Sequence, residues 1–198
     1  MKKLQVFCIC LSLMATAATA DSGITFGIKG GIVDNYGQPG LNLSTYDISQ
    51  MNLIGGQFHI ATLPVVDLIV GADYSWHKQT LSIAGQSLPF KMRDLAITAS
   101  LVYPIQLGPA KLYGGGGIGS HSISYEYLRP VSLSLAANGV SIPETSAFFG
   151  YHALAGAEIG LSGIPLGVFV EGRINRVNIP EENIKFNSFA GGVYLSLP

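Results

Sequence analysis

Four histidines, His59, His77, His121 and His152, are the residues of this chain best suited to general-base chemistry. Activating a serine requires hydroxyl and imidazole on one face, which along a strand means positions i and i+2. At i+2 stand Ala61, Gln79, Ile123 and Leu154, none of them a nucleophile. His121 and Ser122 are adjacent, so on a strand they fall on opposite faces. The histidines are solitary and lack the spacing of a metal site, so no metal is expected. Glycines 114–117 are not followed by the Lys-Ser/Thr of a phosphate loop. The sequence therefore offers no catalytic residue and no cofactor site. What remains is a set of ions in otherwise apolar runs: Lys29, Asp73, Glu158, Glu171 and Arg173.

The elements that position these ions show in the run VDLIVGADYSWHK, residues 66–78. Val66, Leu68, Val70, Ala72, Tyr74 and Trp76 share one parity; Asp67, Ile69, Gly71, Asp73, Ser75 and His77 share the other. A period of two is the mark of a strand between unlike environments. The same test predicts eight strands, at 23–33, 52–62, 66–78, 93–103, 110–125, 148–161, 166–177 and 187–197. Each is close to the roughly 9–11 residues that cross a bilayer at a tilt. Lys29, Asp73, Glu158, Glu171 and Arg173 all fall on the polar parity.

The connections alternate in length. Those at 34–50, 78–91, 126–147 and 178–186 are long and rich in Gly, Ser, Asn and Pro, whereas those at 63–64, 104–109 and 162–165 are tight and contain proline. In the longest, 132–142 predicts an extension of the hairpin above the membrane, turning at Asn138-Gly139. Such alternation describes an up-and-down membrane barrel with short turns on one side. A soluble barrel would carry a charged outer coat, yet only 12% of the 198 residues are charged, against roughly 25% in soluble domains. The polar parity is mostly Gly, Ser, Ala and Thr, which suits a lumen better than a solvent face. Tyr74 and Trp76 end an ascending strand and Phe149 and Tyr151 begin a descending one, which predicts an aromatic girdle at the outer interface.

The first twenty residues, MKKLQVFCICLSLMATAATA, combine Lys2 and Lys3, an apolar stretch and an Ala18-Thr19-Ala20 cleavage site. They read as a signal peptide, 1–20, ahead of a single barrel domain, 21–198. Both cysteines lie in that segment, so the mature chain has no disulfide. Its 9 cations (11 less Lys2 and Lys3) against 12 acids give a net charge of −3 and no reason to expect nucleic acid.

KLYGGGGIG (111–119), FFGYHALAGAEIGL (148–161), VFVEGRIN (168–175) and FAGGVYLSLP (189–198) give the chain a resemblance to the small eight-stranded outer-membrane proteins, such as the opacity proteins and the barrel domain of outer membrane protein A. The resemblance covers the mature chain. It implies an all-β, antiparallel up-and-down transmembrane barrel, monomeric, in the outer membrane of a Gram-negative-type bacterium. It also implies that the barrel-assembly machinery and periplasmic chaperones are partners, with membrane lipid around the barrel. Gly192, Leu195 and Leu197 fit the family's C-terminal assembly signal, while Pro198 departs from its usual terminal aromatic.

The expected role is non-enzymatic: a structural surface protein whose loops serve adhesion or host interaction. Inside, the ions are expected to pair across the lumen and plug it. The alternative is a small pore or transport protein for ions or apolar solutes. A lipid-modifying barrel enzyme comes third, because the His-x-Ser pair of the lipid A deacylase barrels is missing.

Overall fold

A computed structural model describes residues 23–37, 48–61, 65–83, 86–127, 145–161, 163–179 and 183–197. Residues 1–20, expected as a signal peptide, residues 132–142, expected to turn at Asn138-Gly139, and Pro198 lie outside the described residues. The strands are β1 (Ile24–Gly37), β2 (Ile48–Ala61), β3 (Asp67–Ile83), β4 (Gln86–Leu107), β5 (Ala110–Tyr127), β6 (Ser146–Gly160), β7 (Leu166–Asn178) and β8 (Asn183–Leu197). Each pairs antiparallel with the next, and β8 returns to β1 to close the barrel. The closing register runs from Ile24↔Leu197 to Asp34↔Asn187. No strand is left as an edge along that seam.

Alternation sets the two faces. Along β7, Phe169, Glu171, Arg173, Asn175 and Val177 are buried, while Val168, Val170 and Ile174 are exposed. Ile28, Ile54, Ile97, Leu101, Ile118, Val170 and Phe189 extend an exposed apolar surface around the barrel, and Ile174 reaches 68% exposure. The core is therefore the lumen, and the outside is greasy. That inverts a soluble barrel and fits a hydrocarbon surround. At the tight-turn end, Gly108 (φ +62°) and Gly163 (φ +84°) adopt the left-handed backbone that suits glycine.

Several strands outrun the predicted spans at the long-loop end. Residues 78–83 and 86–91, expected as part of a loop, instead pair in a ladder that runs from Lys78↔Lys91 to Ile83↔Gln86. The prediction ended each strand near a bilayer's width, but Thr80, Leu81, Ile83 and Phe90 have the β-branched, apolar or aromatic character that prolongs a ladder in water. The 22 residues of β4 measure about 75 Å along the strand, or about 55 Å in height at a 40° tilt. An apolar band is only about 25 Å tall, so the barrel stands well clear of it.

A bulge shapes the end of β1. Register with β2 slips between Asp34 and Gly37, and Asn35 takes a positive φ of 57°. The extra residue reverses the parity of the last turn of the strand, so Tyr36 points into the barrel and is completely buried.

Candidate functional site

The lumen is filled in layers. At mid-height Lys29 Nζ lies 3.0 Å from Asp73 Oδ1 and 3.5 Å from Glu171 Oε1. It also donates to Gln57 Oε1 at 3.1 Å. Arg173 Nε donates to Glu171 Oε1 at 2.6 Å, and its Nη1 reaches Asp73 Oδ2 at 3.4 Å and Thr98 Oγ1 at 3.1 Å. The Tyr113 hydroxyl donates to Glu171 Oε2 at 3.4 Å. Two cations and two carboxylates from β1, β3 and β7 thus share one buried, charge-balanced knot. Glycines make room for it: a Cβ at Gly55 would overlap the Asp73 carboxylate, and one at Gly156 would overlap the Tyr113 ring.

Glu158 is not part of that knot. It sits nearer the tight turns, where His59 Nδ1 is 2.8 Å from its Oε1 and His59 Nε2 is 2.7 Å from Asp67 Oδ2. Lys111 Nζ stands 2.8 Å from Glu158 and 3.8 Å from Asp67. Ile69, Val102, Tyr113 and Leu154 form a buried cluster beside these groups, with Ile69 the register partner of His59, Val102 of Asp67 and Leu154 of Arg173. Sequence reasoning passed over His59, Asp67 and Lys111 as lumen partners, although parity already aligned the first two with the polar face.

Toward the long-loop end the character changes. Asp94 Oδ2 accepts from the Tyr36 hydroxyl at 3.0 Å and lies 2.9 Å from His121 Nδ1. Beyond them Val33, Ile48, Met51, Leu53, Phe90, Met92, Ile123, Val177, Ile184 and Phe186 form a dry cluster inside the barrel. A lumen of ions among mostly small residues was the expectation, and this cap departs from it. Ile48, Met51, Phe90, Met92, Ile184 and Phe186 lie beyond the predicted spans, and Val33, Leu53, Ile123 and Val177 fall near the long-loop ends of those spans; together they enclose a core as a soluble barrel does. Their apolar character was the signal available in the sequence.

A serine and a histidine do meet, across strands. Ser100 Oγ on β4 is 2.7 Å from His152 Nε2 on β6. Pairs within one strand were the only ones the sequence could rank, so this one was missed. Ser100 is 1% exposed among lumen side chains, and no carboxylate bonds His152 Nδ1 among the described residues. His77, nearer the rim, donates from Nδ1 to the Gln50 carbonyl at 2.7 Å.

On the outer surface the Tyr74 and Trp76 rings stack with centroids 5.6 Å apart. Phe149 and Tyr151 face outward on β6, and the Arg176 guanidinium lies 5.9 Å from the Tyr151 ring centroid. Leu195 and Leu197 project outward from β8, while Gly192 faces inward, where a Cβ would overlap the Ile28 carbonyl of β1.

A closed eight-stranded meander, greasy outside and filled within, defines a small outer-membrane-type β-barrel. No protein-family model and no curated protein matches the chain. Solved structures do. The crystal structure of outer membrane protein OprG from Pseudomonas aeruginosa is 15% identical with a TM-score of 0.58, the match covering 88% of this chain and 93% of that one. Neisserial surface protein A is 12% identical with a TM-score of 0.54, covering 88% of this chain and 96% of its own. At such identities the likeness shows the fold: this chain has the fold of the small eight-stranded outer-membrane barrels.

Proposed function

We propose that the protein is a non-enzymatic, non-conducting barrel of the outer membrane of a Gram-negative-type bacterium. In this reading it is a monomeric surface anchor that carries its long connections into the medium for adhesion or host interaction. The filling of the lumen carries the reading: a charge-balanced knot at mid-height lies beneath a dry apolar cap, which leaves ions no continuous polar route. Burial of Ser100 away from both solvent and lipid argues against hydrolysis by the Ser100–His152 pair. The apolar exterior and the outrunning strands support a bilayer placement with the long connections outside. Delivery by periplasmic chaperones and the barrel-assembly machinery, reading the end of β8, belongs to the same proposal.

The test is single-channel recording in a planar bilayer, using mature chain refolded until it shifts mobility on boiling. Silence from heat-modifiable protein is the expected result. Steady openings would replace the anchor reading with a pore.

A further inference from the structure

The exterior holds a feature that barrel packing does not require. Outward-facing Gly30 of β1, Ala155 and Ala157 of β6, Gly172 of β7 and Gly191 of β8 leave an open groove of about 640 Å³, walled by Val170 and Phe189. Inward-facing Gly31 and Gly192 have an evident cause, since a Cβ at either would overlap a neighbouring strand's backbone. The outward glycines have none. A Cβ at Gly172 would meet the Phe189 ring at 3.5 Å, one at Gly191 the Phe169 carbonyl at 3.6 Å, and one at Gly30 the Leu53 carbonyl at 3.8 Å, all ordinary contacts. Larger side chains would fit here, yet the groove is open, and register continues its floor through Ala155↔Gly172 and Gly191↔Gly30.

Above the groove, on the same two strands, Arg176 and Lys185 are direct register partners. Both face outward, Arg176 beside the Tyr151 ring and Lys185 exposed. Among the described residues neither makes an ion pair, and the buried Nε of Arg176 has no hydrogen-bond partner. Among the described residues, Asp34 is an acid near in register on this face: it is the partner of Asn187, two residues from Lys185, and accepts from the Asn35 amide. Arg93 and Lys91, by contrast, have Glu126 as counter-ion. Two adjacent cations with no ion pair among the described residues are suited to a phosphate. From Arg176 down to Gly172 is about 13 Å of strand, which lies within the roughly 15 Å depth of one leaflet's hydrocarbon.

We propose that this face binds one anionic, phosphate-bearing lipid of the outer leaflet, its phosphate on Arg176 and Lys185 and an acyl chain in the groove below. The inference rests on the bilayer placement proposed above, not on the silence of the lumen. It is tested by native mass spectrometry of the heat-modifiable protein released from detergent. The probes are the diphosphorylated glucosamine disaccharide lipid of the outer leaflet, its dephosphorylated form, and inorganic phosphate as competitor. Wild-type protein should retain one equivalent of the phosphorylated lipid and not of the dephosphorylated one.

The double variant Arg176→Gln/Lys185→Gln should bind about 30-fold more weakly, at the strength of two interfacial cations. Gly172→Leu fills the groove without a backbone clash and should weaken binding several-fold with both cations intact. Each variant lies on the lipid-facing surface and is checked for its mobility shift before use. Equal retention of the two lipids by wild type, or unchanged retention in either folded variant, would overturn the proposal. So would displacement of the lipid by phosphate at equal concentration, which would assign the cations to a free anion. A wild type with no heat-modifiable form would sink the barrel reading itself, and that outcome is visible before any lipid is added.

Discussion

Arg173 and Lys29 hold two carboxylates between them, so the loss of either cation leaves a buried negative charge. Replacing Arg173 with Met keeps the volume and removes the charge. The barrel should still form, but about 3 kcal/mol less stable, as when one member of a buried pair is removed. Trp76 is the sole tryptophan and sits on the outer face, so its fluorescence can follow folding into lipid vesicles against urea. Adding Glu171→Gln to Arg173→Met restores the balance and should recover part of the loss. Full stability in the single variant would show that the knot is not what holds these strands. Parity placed Lys29, Asp73, Glu158, Glu171 and Arg173 on the polar face, but it could not say which of them meet. Height in the lumen depends on register, and register parts Glu158, opposite Phe169, from Glu171, opposite Gly156. The Ser100–His152 contact was hidden for the same reason, because no spacing within one strand encodes a neighbour across the barrel.

At the scale of the element, the period of two was enough to find all eight strands, because lipid and lumen differ at every step along them. The ends were not legible. A bilayer sets a minimum length for a strand and no maximum, so β3 and β4 run on past it as a ribbon. The bulge at Asn35, which turns Tyr36 inward, comes from a backbone conformation that alternation does not display. The two ends of the extension differ in what they hold. Residues 80–83 and 86–89 form a ribbon beyond the register of both β2 and β5. Phe186 packs inside the cap against Tyr36, ring centroids 4.7 Å apart. Replacing 80–89 with an Asn-Gly turn should leave the urea midpoint unchanged, whereas Phe186→Ala should cost about 3 kcal/mol. If the shortened hairpin proved the more damaging change, the cap would not be the stabilising part of the extramembrane barrel.

For the whole molecule, closure is the defining property. Ile24 and Leu197 are register partners, so the start of β1 and the finish of β8 lie side by side. A chain permuted to join them through a short linker, and opened between Gly108 and Pro109, should refold to the same heat-modifiable barrel with an altered insertion rate. Failure to reach that barrel would mean that the order of strands, and not only their pairing, directs the fold. Closure also sets apart what fills the ring from how many rings a membrane can carry. An open channel limits its own abundance, because each further copy adds leak. On the reading proposed above, with charge knotted at the waist and aromatic and aliphatic side chains stopping the mouth, each copy adds surface and no permeability. A cell can vary the density of such a protein over a wide range while the barrier around it stays the same.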